Sequence, residues 1–244
     1  MIGAIWTWLT STSSWSGDDG IPHRLLQHAG YSALVLVVAA AIAVPLGVWI
    51  GHSGHGRSLV TVANSLRAVP TLGLLFALTL VLQPHLQGNT AFLLPCVIAL
   101  VLLAVPPILS GAYAGVEAVD PAARDAAKGV GMRPREVLRH VELPCALPLL
   151  MSGLRSAALQ VIATATIAAY VGLGGLGRYL VDGIATNDYP RTGGGAVLVA
   201  LFALVADIVG ALVQARVVSP GLTGKGRRLA RVDHPTVPSG ATAS

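Results

Sequence analysis

Apolar residues gather in five long runs, Ala29 to Ile50, Leu59 to Leu82, Ala91 to Tyr113, Leu147 to Val171 and Gly195 to Val217, with the polar residues between them. A helix that crosses a bilayer needs about 20 mostly apolar residues, and each run has that length with some allowance for tilt. The pattern predicts an all-α, polytopic membrane bundle of about five transmembrane helices over residues 28–217. Residues 1–27 read as an external segment lying at the interface, where Trp6, Trp8 and Trp15 are at home. No positive charge precedes the short apolar stretch Ile2 to Leu9, so a signal peptide is not indicated. Beyond the last run, Lys225-Gly226-Arg227-Arg228 leads into Pro, Ser, Thr and Ala, which predicts a disordered cytoplasmic tail over 218–244.

The largest polar interruption is DAAKGVGMRPREVLRHVELP, Asp125 to Pro144. Pro121 can open a helix there, with Asp125 near its start and Ala126 and Ala127 offering a flat surface for close approach. Gly131 is placed to cap that helix in the left-handed conformation. Pro134 can then start a second short helix that runs to about Val141 and stops before Pro144. The prediction is a helix-turn-helix elbow over 117–145.

Polar and helix-breaking residues inside the runs mark further candidates. Pro45, Gly47 and Gly51 in the first allow close helix contact, and Pro70-Thr71 in the second predicts a kink with freed carbonyls, a candidate gate element. Pro95 and Pro106-Pro107 predict bends in the third. In the fourth, Gln160, Thr164, Thr166 and Tyr170 can share a helix face lining a pathway, or the threonines can bond back to their own helix. Asp207 in the fifth must face polar company, as a pathway or subunit-interface residue or in a buried hydrogen bond between helices.

Composition agrees with this reading: the 244 residues are 54% hydrophobic and 11% charged, against about 25% charged in soluble domains. The formal charge of +5 does not point to nucleic acid, because the basic residues flank the apolar runs. Of the sixteen Lys and Arg, thirteen fall on the side of the elbow and the C-terminus, and only Arg24, Arg178 and Arg191 on the other. The positive-inside rule then puts the elbow and C-terminus in the cytoplasm and the N-terminus outside.

Cys96 and Cys145 have no CxxC spacing, and His52 and His55 lack a third ligand nearby. No metal or cofactor site is expected, and both histidines read as solvated loop residues. Gly172-Leu173-Gly174-Gly175-Leu176-Gly177 spells G-x-G-x-x-G but follows a membrane helix rather than a strand, so a tight outer turn is expected in place of a dinucleotide site. The Gly-Lys at Gly224-Lys225 lacks the spacing of an ATP-binding loop.

The spacing Asp125-Ala126-Ala127, Gly131, Val141-x-Leu143-Pro144 resembles the EAA signature of the permease subunits of binding-protein-dependent ABC importers, with Asp for the usual Glu and Val for the usual Ile. The resemblance implies a MetI-like fold in a prokaryotic cell membrane, with those seven residues coupling the chain to a separate ATP-hydrolysing subunit. It implies as further partners a second permease copy or paralogue and an external solute-binding protein, with no enzyme activity on this chain. NSLRAVPTLGLL from Asn64, VDPAARDAAKGVG from Val119, LPCALPLLMSGLR from Leu143 and GLGGLGRYLVDG from Gly172 are similar to permeases for glycine betaine, choline or carnitine. Pro70, Thr71, Gln160, Thr164, Tyr170 and Asp207 are the candidate pathway residues. Quaternary amines are held in aromatic cages, and twelve scattered aromatics suggest that recognition sits mostly outside this chain, with Tyr170 the best aromatic candidate on the pathway. Two alternatives keep the membrane bundle: a permease for amino acids such as methionine, and an ATP-independent channel or scaffold.

Overall fold

The computed structural model describes residues 1–219, so most of the expected tail lies outside the described residues. Helix α1 (Ile2–Thr10) and the single turn α2 (Thr12–Trp15) lead into α3 (Ile21–Ser53), which starts with Pro22 in its first turn and ends at the left-handed Gly54. Then come α4 (Arg57–Ser65), α5 (Thr71–Leu82) and α6 (Thr90–Glu117). The elbow follows as α7 (Pro121–Gly129) and α8 (Pro134–Val137), and α9 (Leu143–Ala165), α10 (Gly177–Ala185) and α11 (Tyr189–Val217) complete the bundle. Among the described residues there is no strand.

Four stretches are long and apolar enough to cross a membrane: α3, α6, the continuous Pro134–Val171 and α11. The second apolar run is a fifth only if α4 and α5 are taken as one span, because they meet at 93°. This departs from the kinked continuous helix that the run predicted. Pro70 has no N–H to continue the ladder and forces Val69 into extended backbone (φ −72°, ψ 127°), so the chain turns a corner.

The elbow also departs from expectation at Pro144. The second helix does not stop there; a π-helical turn, Leu138–Glu142, joins α8 to α9 without a break. Pro144 cannot donate a hydrogen bond back to the preceding turn, and the wider π turn absorbs that missing bond. The three prolines of α6 are likewise carried inside one helix, where neighbouring helices enclose them.

Helix α6 is the centre of the bundle, packed most extensively against α3 and α9. Val35, Ala39 and Ala43 of α3 meet Leu100, Ala104 and Ile108 of α6 and Ala157 and Val161 of α9, all buried. Lipid tails remove the hydrophobic drive for helix pairing, so close packing must hold these helices together, and small residues supply it. A Cβ on Gly47 would lie 2.7 Å from that of Ala112, and one on Gly51 the same distance from that of Val116. The small-residue pair in the first span therefore packs α3 on α6 within the chain. Gly111 and Gly153 let α6 and α9 cross in the same way, a Cβ on Gly153 falling 2.5 Å from the Pro107 carbonyl.

At the end away from the elbow, α1 folds back onto α11, and Trp8 meets Tyr179 of α10 edge to face, centroids 5.1 Å apart. The glycine run between α9 and α10 makes the expected tight turn, with Gly172 and Gly175 at positive φ, and Gln27 Oε1 accepts the Gly175 N–H at 3.0 Å.

Candidate functional site

Local chemistry builds the elbow as a rigid, short hairpin. Asp120 caps α7, its carboxylate accepting the Ala122 N–H at 2.9 Å, and Pro121 fills the first helical position. At the other end the Met132 N–H reaches the Ala127 carbonyl and the Gly131 N–H reaches that of Lys128, at 3.1 and 2.9 Å. This is a Schellman ending, and it requires Gly131 at φ +87°. The α8 turn opens with the Arg133 N–H donating to the Glu136 carboxylate at 2.7 Å.

The face this produces is exposed: Asp125 is 74% and Val130 77% accessible, with Ala126 and Gly131 open beside them. Ala127 points inward and is buried. Val141 and Leu143 are half-buried and Pro144 is exposed, so these three belong to the root of the elbow rather than its tip.

Glu142, which the sequence did not single out, lies at that root and is 3% exposed. Its Oε2 is 2.6 Å from His52 Nδ1 and its Oε1 2.8 Å from Arg124 Nε. The Arg124 Nε–H is not aligned for a hydrogen bond, so that contact is chiefly Coulombic, while Arg124 Nη2 donates to the Val116 carbonyl at 2.5 Å. His52 is thus no solvated loop residue: it sits in the last turn of α3 and faces a buried carboxylate. His55 is exposed, its ring bonded to the Ser53 carbonyl. Nothing in sequence order links positions 52, 124 and 142; only the packing of α3 against the elbow does.

The polar positions within the spans separate into two groups. Asp207 of α11 finds its polar company in Arg155 of α9, whose Nε and Nη2 donate to Oδ1 at 3.1 and 2.8 Å. Arg155 Nη1 also donates to Gln214 at 3.0 Å. The pair sits in an apolar groove of about 460 Å³ between α3, α9 and α11. Two charged residues within apolar runs were the signal for it, though Arg155 read as a flanking basic residue.

On a different face of α9, Ser152, Ser156 and Gln160 recur every fourth residue, the two serines exposed. That spacing was visible in the sequence and was missed there. Thr164 and Thr166 turn their hydroxyls to their own helix, onto the Gln160 and Ala163 carbonyls. Tyr170 is 53% exposed in a 3-10 turn after α9, and Pro70 and Thr71 mark the corner between α4 and α5. Among the described residues, no group of three or more His, Cys, Asp or Glu could hold a metal ion.

The family model for the binding-protein-dependent transport system inner membrane component matches residues 43–219. A choline transport system permease protein of Bacillus subtilis is 31% identical over 82% of this chain and 89% of its own length. A carnitine transport permease protein of Listeria monocytogenes is 36% identical over 75% of this chain and 80% of its own. The osmoprotectant import permease protein of Salmonella typhimurium is 36% identical over 76% and 91%. In fold, the chain is similar to the inward-facing MetNI methionine ABC transporter, with a TM-score of 0.69 at 19% identity, covering 80% of this chain and 94% of that one. The elbow geometry and these matches agree: this chain belongs to the binding-protein-dependent transport system inner membrane components, the multi-pass permease subunits of ABC importers.

Proposed function

We propose that this chain forms the membrane pathway of an importer for quaternary-amine osmoprotectants such as glycine betaine, choline or carnitine. It does so paired with a second permease, with ATP hydrolysed by separate cytosolic subunits and cargo delivered by an external solute-binding protein. The observation that carries the reading is the elbow. It is a short helix capped at both ends, rooted on a buried charge cluster, and it presents Asp125, Ala126 and an exposed Val130 away from the bundle. A short capped tip with an apolar patch at Ala126 and Val130, beside an Asp125–Lys128 pair and exposed Arg133 and Arg135, suits a groove on a soluble partner.

With Arg155 set inside α9, twelve basic residues on the elbow side against three on the other still favour a cytoplasmic elbow and C-terminus and an outward N-terminal segment. ATP binding would close the ATPase pair, draw two elbows together and turn the pathway outward; hydrolysis would reset it. Ser152, Ser156, Gln160, Tyr170, Pro70 and Thr71 are the pathway candidates that this arrangement favours.

The cargo assignment draws on relatives 31% to 36% identical, whose names cite choline, carnitine and osmoprotectants. The methionine transporter supports the fold alone at its 19% identity. The channel or scaffold alternative loses Asp207 as a pore-lining group, since that carboxylate is paired with Arg155, and the family match favours an importer.

The test is uptake of labelled choline and glycine betaine by the complex purified from native membranes and reconstituted with its binding protein. Excess unlabelled quaternary amine should abolish the signal and excess methionine should not. Uptake of labelled methionine with no amine uptake would overturn the cargo assignment.

A further inference from the structure

We propose that Glu142 is the positioning residue through which movement of the elbow reaches α3 and α9. The proposal rests on the importer reading and goes beyond it, to where within the chain the motion passes. Three spanning helices end beside this one carboxylate. It belongs to the π turn that feeds α9, it faces His52 in the last turn of α3, and it faces Arg124 of α7. Arg124 in turn holds the Val116 carbonyl near the end of α6.

The elbow meets the bundle elsewhere through apolar contacts such as Leu138 and Leu143 against Val48, Ala112 and Val116, which can slide. Glu142 is buried and Arg124 half-buried, so drawing them apart would leave the carboxylate short of its countercharge in a low-dielectric site, and this link cannot slide cheaply. Arg124 and Glu142 therefore make the joint that resists shear between α7 and the bundle. The π turn bearing Glu142 has the looser hydrogen bonding at which a helix can change direction. A stiff ionic link placed on a deformable turn converts a push on α7 into a tilt of α9, and His52 carries the same push to α3.

The experiment uses the complete complex, with ATPase subunits and binding protein, in liposomes. It measures labelled glycine betaine imported per phosphate released, normalised to assembled complex, for the wild type, Glu142→Gln, Arg124→Gln and the double variant. Gln keeps the shape and a hydrogen bond at 142 but removes the charge. Glu142→Gln should keep ATP hydrolysis within about twofold while import per ATP falls at least about fivefold, the lower end of typical coupling energies.

Arg124→Gln should do the same, and the double variant should be no worse than either single, because both remove one joint. Import and hydrolysis falling in parallel would mean a merely structural role and would overturn the proposal. So would an unchanged ratio, or losses that multiply in the double variant. Since the ratio is read on assembled complex, a variant that assembles poorly still gives it, and Arg124→Gln reads the same joint from the more exposed side. A wild-type complex that imports neither amine nor hydrolyses ATP would sink the importer reading itself; a coupled wild type with unaffected variants would sink this proposal alone.

Discussion

Removing one partner of the Arg155–Asp207 pair should destabilise the bundle more than removing both. Asp207→Asn leaves the Arg155 guanidinium facing an apolar groove with only Gln214 for company. Breaking a fully buried pair costs about 3–5 kcal/mol, and a surface pair about 0–1. The two side chains are 29% and 34% exposed, which argues for less than the buried figure. What surrounds them, however, is a groove lined mostly by apolar side chains of three spanning helices, and an unpaired charge within a membrane span costs about 2.5–3.5 kcal/mol on insertion scales. The expected loss is about 2–3 kcal/mol, a fall in Tm of roughly 4–12 °C for a chain of this size. The double replacement Arg155→Leu with Asp207→Leu removes both charges and should come back to within about 1 kcal/mol of the wild type. Unfolding of the purified protein in mixed micelles, followed by circular dichroism, reads all three. A double variant at least as unstable as Asp207→Asn, or an Asp207→Asn protein indistinguishable from wild type, would refute the reasoning.

Other substitutions follow from the same geometry. Gly153→Leu must push its side chain against the Pro107 carbonyl and should cost about 3 kcal/mol or more, read as loss of the monodisperse peak in size-exclusion chromatography. Gly131→Ala meets no atom within 4 Å but sits at φ +87°, so it should cost only about 1–2 kcal/mol and leave partner binding intact. Gly131→Trp should fold and yet release the ATPase subunit, as scored by co-purification. Burial pushes the Tyr179 phenol above its ordinary range, so the folded state keeps its proton where the unfolded chain loses it. That contribution is complete below pH about 10 and is lost as the pH rises through the folded value, so Tyr179→Phe should flatten the fall of stability with alkaline pH.

The spans and the elbow were legible because each is written locally. In four of the five runs about twenty apolar residues make one helix long enough to cross, and Pro121, Gly131 and Pro134 set the hairpin by their own backbone limits. The corner at Val69-Pro70 was harder, since a proline in an apolar run is compatible with a kink or with a break, and the packing of α5 on α6 decides. The π turn before Pro144 was hidden for a similar reason: a proline there reads as a stop, and only a ladder shifted by one residue lets the helix continue. The short helix α10 follows a glycine run and has no long apolar stretch to announce it.

Pairings over distance were not legible at all. Asp207 showed that it needed a partner, but nothing local named Arg155, 52 residues away, as that partner. Glu142 gave less warning still, lying among the charges of the elbow and looking solvated until α3 brought His52 against it across 90 residues. Burial of a carboxylate depends on which helices converge there, and that is a property of the packed bundle.

Affinity purification of this chain from its native membranes in mild detergent, with mass spectrometric identification of what stays bound, tests the central claim most directly. The account predicts an ATPase subunit in near-equal amount with the permease, lost in the Gly131→Trp variant. A chain that purifies alone from several detergents, with the variant no different, would contradict it.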